Sequence, residues 1–145
     1  MPEANLDLYV IFNGLKGAKL ALESASALAR DLGARITLLV AQVVPYPVPL
    51  DQPPVSAGFS ERIFAELIRE TEAEASVRVY LCRDRKEAIR EALAPWSLVM
   101  MGSRRRWWPD REQMLAWRLR RDGHHVLFPE PATSYPHALN FARGY

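Results

Sequence analysis

The densest concentration of reactive side chains in this sequence is Arg104-Arg105-Arg106-Trp107-Trp108, which follows the turn Gly102-Ser103. Guanidinium groups present paired N–H donors that match phosphate and carboxylate oxygens. Flat indoles beside them supply surfaces for stacking or for protein contact. Between Arg104 and Arg121 seven arginines stand against only Asp110 and Glu112, although the whole chain carries a net charge of just +2. The local patch, not the total, is what would draw an anion: a phosphate, a nucleotide or an acidic protein face. The plainest reading leaves the arginines solvated and packs one Trp on a neighbouring element. Nucleic acid is not expected as a partner.

Other candidates carry less. Asn13-Gly14 is a turn signal directly after an apolar run. His124 and His125 are adjacent; on a strand they point to opposite faces, so they do not share a metal ion, and a place at a surface or interface is expected for them. Cys82 stands alone on an apolar stretch and reads as a small hydrophobe, not a reactive thiol. Ser103 lacks a nucleophile elbow, because Arg105 stands where the second glycine should be. Asp84 and Glu87 have the spacing of a helix capping box. No nucleophile–base pair and no metal cluster emerges, so no catalytic and no metal-binding residue is assigned.

The elements that must carry these residues follow from periodicity. Leu8 to Phe12 reads as a first strand. Gly17 to Leu32 has apolar residues at Ala18, Ala21, Leu22, Ala25, Leu28, Ala29 and Leu32, a one-faced helix stopped by Gly33. Ile36 to Val44 is apolar on both faces, as in a parallel sheet covered by helices on both sides. Pro45 to Gly58 holds five prolines and reads as a stiff loop. Ser60 is expected to cap a second helix running to about Glu74, with Ile63, Phe64, Leu67 and Ile68 inward. Val77 to Cys82 alternates, which places a third strand at a sheet edge. Asp84 opens a third helix, and Leu98 to Met101 forms a central fourth strand. Pro109-Asp110 starts a fourth helix with Met114, Leu115, Trp117 and Leu119 on its apolar stripe, and Val126 to Phe128 makes a short fifth strand.

Strands alternating with helices predict an α/β fold with an open parallel sheet and helices on both faces. The expected strand order is 3-2-1-4-5, with the winding reversed between strands 1 and 4. Ligands bind at such a reversal, beyond the carboxyl ends of the strands. Those ends are Asn13-Gly14 and Gly102-Ser103. A chain of 145 residues is about one domain, here 1–129 followed by a tail, 130–145, which holds Tyr135, Phe141 and Tyr145. No run of about 18 apolar residues occurs, so no membrane partner is expected. Met1 to Asn5 shows no basic region before an apolar stretch, so no signal peptide is read. A single cysteine fits the cytoplasmic location expected from this.

Over about residues 6 to 129 the pieces resemble the universal stress protein family. Ala25 to Val44 looks like its first helix and second strand, and Asp84 to Ser103 looks like its third helix, fourth strand and Met-Gly-Ser turn. The resemblance implies a Rossmann-like, adenine nucleotide alpha hydrolase-like fold. ATP-binding members continue as Gly-x2-Gly-x9-Gly-Ser/Thr. Here Gly102 is kept, Arg105 takes the second glycine position, and the final pair falls on Leu115-Ala116 by strict counting, or nearer Glu112-Gln113 if the loop is shortened, so that neither register supplies Gly-Ser/Thr. Asn13 stands where the family's strand ends in an acid, and neutral Asn is a poorer Mg²⁺ ligand.

The resemblance therefore implies a binding or regulatory module in which ATP binding of the usual form is lost or altered. The candidate ligand set, for a nucleotide or other anion, is Asn13, Gly14, Val43, Gly102, Ser103 and Arg105. No cofactor is expected, and any adenine nucleotide is expected to bind weakly. Family members commonly pair through the last strand, so a homodimer through strand 5 and the tail is expected. The alternative is a dimerising structural protein with no small-molecule ligand.

Overall fold

A computed structural model describes residues 6–12, 14–71, 73–102 and 111–129. Five strands, β1 (Asp7–Ile11), β2 (Arg35–Val43), β3 (Ala75–Cys82), β4 (Leu98–Met101) and β5 (His125–Leu127), form one parallel sheet in the order β3-β2-β1-β4-β5. Four helices, α1 (Leu15–Leu32), α2 (Ala57–Thr71), α3 (Arg85–Ala92) and α4 (Arg111–Arg121), connect them. This is the order expected from the alternation of strand and helix patterns. The notch between oppositely wound halves lies where β1 meets β4, with Ile11 paired to Met101.

Strand side chains alternate between two cores. Leu8, Val10, Ile36, Leu38, Val40 and Met100 face α1 and α2, together with Phe64, Leu67 and Ile68. Ile11, Leu39, Val99, Met101 and Val126 face α3 and α4, together with Ile89, Leu93, Leu115 and Leu119. Both faces of β1 and β4 are thus covered, which is why these strands read as unbroken apolar runs. Truncating a fully buried member such as Leu22 or Ile11 is worth about 2–5 kcal/mol.

Small residues let α1 lie close on the sheet: Ala18, Ala21, Ala25 and Ala29 are all buried. Gly33 ends it in the left-handed conformation (φ 66°), and the Ala34 N–H returns to the Ala29 carbonyl at 3.0 Å. Asp84 caps α3 as its sequence implied, accepting from the N–H groups of Lys86 and Glu87 at 3.0 and 3.3 Å. Glu87 makes an ion pair with Arg90, one turn on.

Four expectations change. The hydroxyl at the start of α2 is Ser56, which accepts from the Phe59 N–H at 3.1 Å; Ser60 lies inside the helix and donates to Gln42 Oε1 at 2.7 Å. Leu32 and Ile63 lie outside the cores, exposed on their helices. Met114 and Trp117 also point to solvent, 61% and 67% exposed. The inward stripe of α4 is Leu115, Ala116 and Leu119, and at 100° per residue that leaves Met114 and Trp117 on the far side. Finally, His124 is buried and not at a surface: its Nδ1 accepts the Ser97 N–H at 3.1 Å, and burial pushes its pKa down. His125, the first residue of β5, is exposed.

Among the described residues no helix is long and apolar enough to cross a membrane, and no group of three His, Cys, Asp or Glu is placed to hold a metal ion.

Candidate functional site

The rim above the sheet is built by the residues that leave β1 and β4. Phe12 still belongs to the ladder through its N–H, which donates to the Leu39 carbonyl at 3.0 Å, and its ring meets Phe64 edge-on at 4.6 Å. Gly14 follows at the N-cap of α1 with φ 124°, a backbone conformation that favours glycine. Its carbonyl accepts from the Ala18 N–H at 2.9 Å, and among the described residues no side-chain hydrogen bond caps this helix end. Gly102 follows β4 directly and is buried. A Cβ added to Gly102 would collide with the Gly17 carbonyl, the Gly17 carbonyl carbon lying only 2.6 Å away. The missing side chain at Gly102 is therefore used by the first turn of α1, which sits on the end of β4.

Arg85 and Glu112 close the other side of this notch. Arg85 is the first residue of α3 and Glu112 lies in the first turn of α4. The two meet fork to fork, Arg85 Nη1 to Glu112 Oε2 at 2.9 Å and Nη2 to Oε1 at 3.0 Å. Nη2 also donates to the Phe12 carbonyl at 3.1 Å, directly after the end of β1. Both side chains are mostly withdrawn from solvent, 27% and 20% exposed. Glu112 shares the inward quadrant of α4 with Leu115, Ala116 and Leu119, which explains its position at the rim. The α4 N-terminus favours a negative group there as well.

A second ion pair lashes the far ends of the same helices. Arg90 Nε donates to Asp122 Oδ2 at 2.8 Å. The Arg90 guanidinium holds the Asp122 carboxyl below its ordinary range.

On the other flank, β2 runs four residues past Leu39, its last partner on β1, and stays paired with β3 to Val43–Cys82. At about 3.3 Å per residue this is a wall roughly 13 Å high along the notch. Val43 stands at its top, 47% exposed. The proline-rich loop behind it is fastened down. Arg83 Nη1 donates to the carbonyls of Val44 and Val48 at 2.9 and 2.8 Å, and its guanidinium lies 4.1 Å over the Tyr46 ring. Gln42 Nε2 reaches the Val55 carbonyl at 2.6 Å.

Of the sequence-derived ligand set, Gly14 and Gly102 come to the rim and Val43 to the top of the wall, while Asn13, Ser103 and Arg105 lie outside the described residues. Arg85, Glu112 and Arg83 were not singled out from sequence. No local pattern in the sequence links Arg85 to a carboxylate 27 positions on. Cys82 is half-buried, and burial first, then the nearby Asp84 charge, push its thiol pKa up, so it stays protonated. A groove of about 480 Å³ lies elsewhere, beside the edge strand β3, lined by Tyr80, Cys82, Arg83, Asp84, Glu87 and Glu91. Three carboxylates make it a poor place for a phosphate.

No protein-family model matches the sequence. No curated protein matches it. Solved structures do. A universal stress protein family member from Burkholderia pseudomallei superposes with a TM-score of 0.56 at 24% identity, over 86% of this chain and 96% of that one. The universal stress protein of Archaeoglobus fulgidus superposes with a TM-score of 0.53 at 14% identity, over 88% of this chain and 100% of that one. The chain has the α/β fold of these universal stress protein structures, with the strand order β3-β2-β1-β4-β5.

Proposed function

We propose that this chain is a universal stress protein-like binding or regulatory module whose ATP site is altered, so that the rim between β1 and β4 takes an anion without the usual glycine cradle. The observation that carries this reading is the pairing of Ile11 with Met101, which sets Phe12 beside Gly102 at the reversal of winding, with a guanidinium at the end of β1. Asn13, Gly14, Val43, Gly102, Ser103 and Arg105 remain the residues proposed to surround the ligand. Arg105 in place of a glycine, and Leu115-Ala116 in place of Gly-Ser/Thr, argue against a backbone nest wrapped around three phosphates. Isothermal titration with ATP, ADP and AMP, with and without Mg²⁺, tests it. Weak, Mg²⁺-insensitive binding is expected; tight Mg²⁺-dependent ATP binding would contradict the altered site, and millimolar silence toward all three would remove nucleotides from the account.

A second reading is favoured by the surface next to β5. Met114 and Trp117 face solvent on α4, and Leu127 of the edge strand is 39% exposed. An apolar edge of this kind invites a second copy. In this reading the chain is a dimerising structural protein, with residues 130–145 draped across the partner. Light scattering on the full chain and on one cut after Pro131 decides it; a monomer in both ends the idea.

A further inference from the structure

We propose that Arg85 is an oxyanion receptor at the rim and that Glu112 is its internal occupant, standing where a phosphate-bearing ligand would otherwise be held. The proposal rests on the reading of the rim as an anion site and names the group that would recognise the ligand.

Three observations carry it. First, the geometry is bidentate, with two N–H···O bonds of 2.9 and 3.0 Å between planar groups, and phosphate oxygens fit the same fork. Second, the place is the reversal of winding: Arg85 is anchored to the Phe12 carbonyl at 3.1 Å, so its guanidinium stays at the end of β1 whatever lies opposite it. Third, Glu112 belongs to a different helix and approaches from the first turn of α4, where a helix N-terminus stabilises whichever anion sits there. The Arg90–Asp122 pair joins α3 to the end of α4 as well, with no hydrogen bond from Arg90 to a strand end among the described residues, so lashing the helices does not require the rim geometry.

An attached carboxylate acts as a competitor of high effective concentration. If the fork is closed about 90–99% of the time, the apparent dissociation constant of an external anion is raised about 10- to 100-fold. Opening the fork must therefore increase affinity, the reverse of what deleting a ligand-binding residue does.

The experiment is isothermal titration of the full chain with inorganic pyrophosphate. Glu112→Gln, which keeps the shape and loses the charge, should bind at least about 10-fold more tightly than the wild type. Glu112→Asp, one methylene shorter, should fall between them. Adding Arg85→Ala to Glu112→Gln should abolish the gain. Asp122→Asn removes a carboxylate from the other lash and changes net charge equally; it should leave affinity unchanged. The proposal is overturned if neither Glu112 variant gains affinity while its near-ultraviolet dichroism matches the wild type, or if Asp122→Asn gains as much. The nucleotide reading fails separately: pyrophosphate binding by Glu112→Gln with no response to ATP, ADP or AMP keeps the receptor and discards the nucleotide.

Discussion

At the scale of single residues, Gly102 and His124 illustrate two ways in which a polar or bare position is consumed by the fold. Gly102 suits the approach of a ligand backbone, but the nearest backbone is that of Gly17. Gly102→Ala therefore forces α1 away from β4, and a loss of about 1–3 kcal/mol or more is expected from the shift in denaturation midpoint. Gly58→Ala provides the contrast: a Cβ there meets nothing within 4 Å, in the first turn of α2, and it should be neutral to stabilising by up to about 1 kcal/mol. His124 titrates below its ordinary value of 6.5 because burial disfavours the imidazolium, with Asp122 opposing weakly. The native state then binds fewer protons than the unfolded chain below that value, so acid favours unfolding. The contribution is complete above 6.5 and is lost as pH falls through the folded-state pKa. Thermal melts from about pH 7 to about pH 5 should show a steeper fall for the wild type than for His124→Asn, which keeps an acceptor for the Ser97 N–H.

At the scale of elements, the sequence was most informative where one periodicity ran unbroken. The four residues of β4, Leu98 to Met101, and the Gly33 stop of α1 are read directly from residue types. It was least informative where a choice depended on what lay opposite. Ser60 reads as the cap of α2 in sequence; Gln42, on another element, claims its hydroxyl, and Ser56 meets the helix end instead. Met114 and Trp117 match a helical stripe, but the sheet takes the Leu115–Leu119 side instead. The proline-rich loop is a further case, because composition predicts stiffness and not attachment. Its attachment is Arg83, bonded to two loop carbonyls and lying over Tyr46. Arg83→Ala should release the loop, costing about 1–2 kcal/mol after allowance for partial exposure, and should open residues 46–52 to limited proteolysis. An unchanged cleavage pattern would mean that the loop holds itself.

At the scale of the molecule, strand order and the place of the notch were legible because alternating strands and helices admit few windings. The rim chemistry was not, since Arg85 and Glu112 are brought together only when α3 and α4 land side by side on the same face. That juxtaposition converts the crevice into one already holding a carboxylate. It also gives meaning to the basic stretch after Gly102: Arg120 is bonded to the Val126 carbonyl at 2.7 Å and serves the fold, while Arg105 is proposed for the ligand. The proposed function requires anions to reach the ends of β1 and β4 and nowhere else. The most direct test is to follow backbone amide resonances of wild type and Glu112→Gln during pyrophosphate titration. Saturable shifts confined to residues 12–17, Val43, Arg85, residues 102–105 and position 112 with its immediate neighbours, appearing at lower concentration in the variant, are predicted. Shifts centred on Tyr80, Cys82 and Glu91 beside β3, or none in either protein, would contradict it.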